Sequence, residues 1–131
     1  MEKKKILVVD DSEVQLRLMK SWLGDQYNVE TVNSATQAIS LLSRETVDLI
    51  LLDYEMPVCS GPMFLEMIRS EVSTSMIPVI FLTAMGDRES VKSVLNLKPA
   101  GYLLKTMPKE AVIKYVDDFF EKNKVKQIDK N

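Results

Sequence analysis

Three aspartates stand where they could share one small space. Asp10 and Asp11 follow the apolar run Ile6-Leu7-Val8-Val9, and Asp53 follows Leu49-Ile50-Leu51-Leu52. An apolar run of four reads as a buried strand, which puts a carboxylate just past it at the C-terminal edge of a sheet. If the two edges are neighbours, the like charges repel and raise one another's pKa. A hard cation such as Mg²⁺ (or Mn²⁺) removes that cost, because it takes oxygen ligands and keeps several waters. One carboxylate then remains to act as a nucleophile.

Other chemistries are excluded by what the chain lacks. It has 131 residues, one cysteine and no histidine. Without histidine there is no Ser-His or Cys-His triad, no histidine-containing zinc site and no phosphohistidine carrier. Cys59 therefore has no base to activate it as a nucleophile. A lone cysteine fits a reducing cytoplasm, which is the expected compartment. The net charge is −2, with no basic block outside the termini, which argues against nucleic-acid binding. No apolar run approaches the ~18 residues of a membrane span, and the short strand after Met-Glu-Lys-Lys-Lys is too brief for a signal peptide.

Strand and helix signals alternate five times along the chain, as a single domain should if it places those aspartates. Strands are expected at Lys5 to Asp10, Tyr27 to Val32, Asp48 to Leu52, Pro78 to Thr83 and Gly101 to Lys105. Ser12 is a plausible N-cap for a first helix carrying Val14, Leu16, Leu18, Met19, Trp22 and Leu23. Ser34 with Gln37 makes a capping-box pattern before a second helix. A third helix is expected from about Pro62 to Val72, a fourth from Asp87 to Leu97, and a fifth from about Pro108 with Val112, Ile113, Val116, Phe119 and Phe120 on one face. From Glu121 the apolar pattern is lost, so residues 1–122 are expected to form the domain and 123–131 a polar tail or linker stub. Alternating elements with continuous apolar strands imply an α/β fold: a doubly wound, flavodoxin-like, five-stranded parallel sheet with five helices. In the order 2-1-3-4-5, strands 1 and 3 are adjacent at the switch point, and the three aspartates meet there.

The pattern at these strand ends resembles the receiver domain of two-component response regulators. The residues that carry the resemblance are Asp10-Asp11, Asp53, Met56-Pro57 and Gly61, Thr83-Ala84, and Tyr102 with Lys105, all in order over roughly Lys4 to Lys122. The resemblance implies a phosphoacceptor rather than an enzyme, in which Asp53 takes a phosphoryl group from a sensor histidine kinase or phosphotransfer protein. It implies Mg²⁺ held by Asp11, Asp53 and the Glu55 backbone carbonyl, with Asp10 acting through water. Lys105 and the Thr83 hydroxyl would meet phosphoryl oxygens. Thr83 and Tyr102 would switch together, altering a face of the fourth helix, fifth strand and fifth helix that binds an output protein or domain, or a second copy. No direct nucleic-acid or membrane partner is implied.

A flavodoxin-like FMN protein shares this topology but needs a phosphate loop where the chain has Asp10-Asp11-Ser12-Glu13. A haloacid-dehalogenase-type phosphatase places its nucleophile after the first strand with a second acid two residues on, where Ser12 stands here. A phosphate-independent scaffold of the same fold is the remaining alternative. Three positions depart from the family pattern: Thr106 follows Lys105 in place of proline, Lys98-Pro99 precedes strand 5, and Ser60 stands before Gly61. The Lys105–Thr106 peptide is accordingly expected to be trans, since a non-proline cis bond costs ~3–4 kcal/mol. Helix 4 should stop by Leu97, because Pro99 restricts Lys98.

Overall fold

The computed structural model describes residues 3–84 and 95–130, with side chains of the last helix described to 123. Five strands form one parallel sheet: β1 (Lys5–Val9), β2 (Asn28–Val32), β3 (Leu49–Asp53), β4 (Val79–Thr83) and β5 (Gly101–Leu104). Their order is β2-β1-β3-β4-β5, as expected. Four α-helices are described: α1 (Glu13–Leu23), α2 (Ala35–Leu42), α3 (Gly61–Ser70) and α4 (Lys109–Lys130). Five were expected. Most of the segment assigned to the extra one, Asp87 to Leu97, lies outside the described residues, and its last three residues, Leu95–Leu97, form a single 3-10 turn.

Side chains alternate across a strand, so each strand feeds two cores. Leu7, Val9, Ile50, Leu52, Val79 and Phe81 face α2 and α3 residues such as Ala38, Leu41, Phe64 and Leu65. Ile6, Val8, Leu49, Leu51, Ile80, Leu82 and Leu103 face Leu16, Met19 and Leu23 of α1 and Val112 and Val116 of α4. Burying one such side chain is worth ~1.5–3 kcal/mol, so the sheet is held from both sides. On α1 only part of the apolar pattern is used inward: Val14 and Leu18 stay exposed, at 59% and 37%.

Local chemistry sets the helix starts. Ser12 accepts from Gln15 N, Ser34 from Gln37 N, and Ser60 from Met63 N. Each satisfies a donor that the first turn leaves orphaned. The reciprocal bond expected at Ser34 is shifted by one residue, because Gln37 Oε1 accepts from Asn33 N.

The C-terminal helix departs from expectation. It starts at Lys109, just past Pro108, but continues to Lys130 through the residues read as a polar tail. Lys, Glu and Gln are good helix formers, so helix here does not require an apolar stripe. No peptide bond among the described residues is cis, so Lys105–Thr106 is trans, and Met107 packs against the core beneath it. Lys98 leaves helical geometry before Pro99 by entering the left-handed region, with φ 54°.

Candidate functional site

The alternation that builds the two cores also sorts the reactive residues. Asp10 continues the register of Ile6 and Val8, Asp53 that of Leu49 and Leu51, and Lys105 that of Leu103, so all three fall on the α1–α4 side of the sheet. Lys105 Nζ lies 2.8 Å from Asp53 Oδ1 and 3.2 Å from Asp10 Oδ2. One carboxylate oxygen from each of Asp10, Asp11 and Asp53 lies within 4.8 Å of the others. Asp10 and Asp53 are buried, and Asp11 is exposed at the lip. Asp10 is fixed by Ser12 N–H, which donates to its Oδ1 at 2.9 Å, and Asp53 by Glu55 N–H, which donates to its Oδ1 at 3.2 Å.

Two oxygens are left over. Asp10 Oδ2 and Asp53 Oδ2 are buried without a hydrogen-bond partner among the described residues. Asp10 Oδ2 nonetheless lies within ion-pair range of the Lys105 ammonium, at 3.2 Å. Orphaned buried acceptors are costly, so their pairing here marks a site rather than a core. Three carboxylates with two unused oxygens form the all-oxygen donor set that a hard divalent cation takes. A cavity of about 110 Å³ opens at this point, lined by Asp11, Asp53, Tyr54, Glu55, Ala84 and Lys105.

The electrostatics follow from burial and crowding. Burial pushes the Asp53 carboxyl up most strongly, Lys105 pulls it down, and Asp10 and Asp11 push it up again. It is lifted from an ordinary 3.8 to about 7. Burial alone would lower the Lys105 ammonium, but Asp53 and Asp10 more than offset this and hold it above its ordinary value. The site thus combines a carboxylate of unusual basicity with a fixed cation beside it.

Not every expected residue joins the cavity. Thr83 is buried at the end of β4, in register with Val79 and Phe81, which places it on the α2–α3 side. Tyr102 packs on that same side, stacked on Phe81 with ring centroids 6.1 Å apart. Its hydroxyl is buried without a partner among the described residues, and burial raises its pKa. Glu55 has an exposed side chain at the mouth.

Two residues of the β3–α3 loop that the sequence singled out without a structural role acquire one here. Ser60 is the N-cap of α3, which gives its position a role that any short polar side chain fills. Gly61 lies so close to β3 that a Cβ there would meet Asp53 O at 2.3 Å. That glycine lets the loop fold back against the backbone of Asp53, and its own N–H donates to Tyr54 O at 3.0 Å.

Comparison with known proteins agrees with this geometry. The sequence profile of the response regulator receiver domain matches residues 6–117. A probable cyclic di-GMP phosphodiesterase of Vibrio cholerae is 34% identical over 100 residues, covering 76% of this chain but only 23% of that protein. Chemotaxis protein CheY-3 of Vibrio cholerae is 28% identical over 120 residues, 90% of this chain and 92% of that one. Among solved structures, the chemotaxis response regulator CheY4 of Vibrio cholerae superposes with a TM-score of 0.83 at 26% identity, over 89% of this chain and 98% of that one. With an acidic cluster, a paired lysine and a buried threonine at the ends of β1, β3, β4 and β5, and a profile match across most of its length, the chain belongs to the response regulator receiver domains of two-component signalling.

Proposed function

We propose that Asp53 is the phosphoacceptor of this receiver domain. The observation that carries the reading is the Lys105 ammonium held between Asp53 and Asp10, beside an Asp53 Oδ2 with no partner. Phosphoryl transfer needs in-line placement and charge neutralisation more than covalent chemistry from the protein. Asp53 Oδ2 attacks phosphorus as the bond to the donor breaks, and the donor group leaves with the electron pair. Lys105 meets a phosphoryl oxygen as a point charge. Mg²⁺ would be held by Asp11, Asp53 and the Glu55 carbonyl, with Asp10 acting through water, and would neutralise the crowded oxygens. Incubation with acetyl phosphate and Mg²⁺ is expected to add one phosphate by intact mass, and Asp53→Asn to add none. Equal labelling of that variant would remove the proposal, and absence of labelling in the parent would favour a phosphate-independent scaffold.

The donor would be a sensor histidine kinase or a phosphotransfer protein. On α1, Val14, Leu18 and Trp22 recur every four residues, and the first two are exposed. This apolar stripe starts beside Ser12 and Asp11, where a donor would have to approach. Readout would pass from Thr83 to Tyr102, which share a face of the sheet, and then to partners or a second copy through β5 and α4. Signalling rather than turnover is the output, with the acyl phosphate biasing a two-state packing.

A further inference from the structure

β5 is one open edge of the sheet, with β4 on its inner side and no strand on its outer side. An edge strand leaves outward-facing N–H groups without a strand to receive them. At Tyr102 the N–H donates instead to the hydroxyl of Tyr115, at 3.1 Å. Tyr115 stands on α4 and packs against the core shared by α1 and α4, whereas Tyr102 packs against the core of α2 and α3. The hydrogen bond therefore passes round the free edge of the sheet and joins a residue of one core to a residue of the other.

The strand is shaped to receive this contact. Gly101 precedes Tyr102, and a Cβ there would collide with the Tyr115 hydroxyl. Glycine inside a strand marks a place where another group comes close to the backbone, and here that group is a side chain of the last helix. The Tyr102 ring is held by other means. It stacks on Phe81, and its own hydroxyl has no hydrogen-bond partner among the described residues. The ring can therefore shift without giving up a polar bond of its own, while Tyr115 grips the main chain beside it. A displacement of β5 at Tyr102 must either carry Tyr115 along or break that bond.

We propose that Tyr115 is the positioning residue through which a displacement of Tyr102 reaches α4. The inference rests on the reading of Tyr102 as the readout residue and adds the contact that carries the readout to the last helix. Coupling between two elements needs a physical contact that both arrangements bias, and a single hydrogen bond at an otherwise open edge supplies one.

The test is amide NMR of the full chain, comparing the parent with Tyr115→Phe and Gly101→Ala. Tyr115→Phe deletes the accepting oxygen, and Gly101→Ala keeps it but drives it off the strand. Exchange of the Tyr102 amide with solvent should be about three- to tenfold faster in both variants, the usual worth of one such bond. Acetyl phosphate with Mg²⁺ should shift amide signals of β5 and of α4 around Tyr115 in the parent. In Tyr115→Phe the β5 shifts should persist, the α4 shifts should be largely lost, and Asp53 should label to the parent level by intact mass. Tyr102→Leu supplies a perturbation without phosphate, and its effect on α4 should likewise vanish when combined with Tyr115→Phe. A parent that takes no phosphate removes the phosphoacceptor reading and leaves the Tyr102→Leu comparison to decide this one. Unchanged exchange at Tyr102 in both variants would overturn the proposal, as would α4 shifts of parent size in the absence of the Tyr115 hydroxyl.

Discussion

Val58 sits in the left-handed region, with φ 70°, and is fully solvent-exposed. Cys59 N–H donates to Pro57 O at 2.7 Å, closing a three-residue turn around it. A β-branched residue is strained there, by ~1–2 kcal/mol, and gains no burial in return. Val58→Gly, which has no Cβ to clash in such a turn, is expected to stabilise the fold by up to about 1 kcal/mol, or roughly 4 °C by calorimetry. Asp53 gives a pH signature of unusual sign. Because its carboxyl is raised from 3.8 to about 7, the folded state binds the proton more tightly than the unfolded chain across that interval. Its stabilising contribution is full below the lower value and is lost as pH rises through the upper one. Lys105, shifted upward from 10.5, titrates outside this window. Metal-free protein should therefore melt lower at about pH 8 than at about pH 5, with a slope of at most ~1.4 kcal/mol per pH unit. Asp53→Asn should flatten that difference, and an unchanged slope in the variant would assign it to other groups. Glu55, exposed at the mouth, is expected to alter acyl-phosphate lifetime, so hydrolysis rates of Glu55→Asn and the parent should differ. At this scale the sequence was most informative where types are unambiguous. Asp10, Asp11, Asp53 and Lys105 were legible, whereas the strain at Val58 was not, because side-chain type does not report φ.

The loop between β3 and α3 shows how elements hold the site. Gly61 has backbone at 2.3 and 3.0 Å from where a Cβ would stand, and backbone cannot rotate away as a side-chain tip can. Gly61→Ala is expected to cost about 1–3 kcal/mol and to displace Asp53 as well, lowering its phosphorylation by acetyl phosphate. Ser60→Ala removes only the cap, so it should cost about 1 kcal/mol while leaving labelling of Asp53 near the parent level. The pair separates loss of stability from loss of alignment, and equal labelling defects in both would show that the loop acts only through stability. Elements were largely readable because apolar runs, serine caps and proline positions are local signals. Their partners were less so. Periodicity places Leu16 and Leu18 on one helix but does not say that only Leu16 meets the sheet. The continuation of α4 to Lys130 has no apolar stripe to announce it, since helix propensity suffices there.

For the molecule as a whole, three carboxylates at one sheet edge mean that metal-free stability is lowered by the site itself. A divalent cation that binds only the folded state raises stability in proportion to the logarithm of its concentration. Mg²⁺ should thus raise the melting temperature, and Asp11→Asn should abolish that response while raising the metal-free melting temperature. A parent protein indifferent to Mg²⁺ would count against the arrangement. The strand order was legible because right-handed crossovers and buried parallel strands leave few topologies. The contact of Tyr115 with the edge of β5 was not, since it arises from where a helix packs relative to a strand. The sheet has one further consequence. Asp10, Asp53 and Lys105 fall on its α1–α4 side, while Thr83, Phe81 and Tyr102 fall on the other. The sheet is therefore a partition, and on the proposed reading it sets a reaction chamber on one side and a reading room on the other. Thr83, the last rung of β4, stands at the top of the wall, where news of the first can pass to the second. Variants on the two sides should then be separable in kind, some silencing the message and others only its reception.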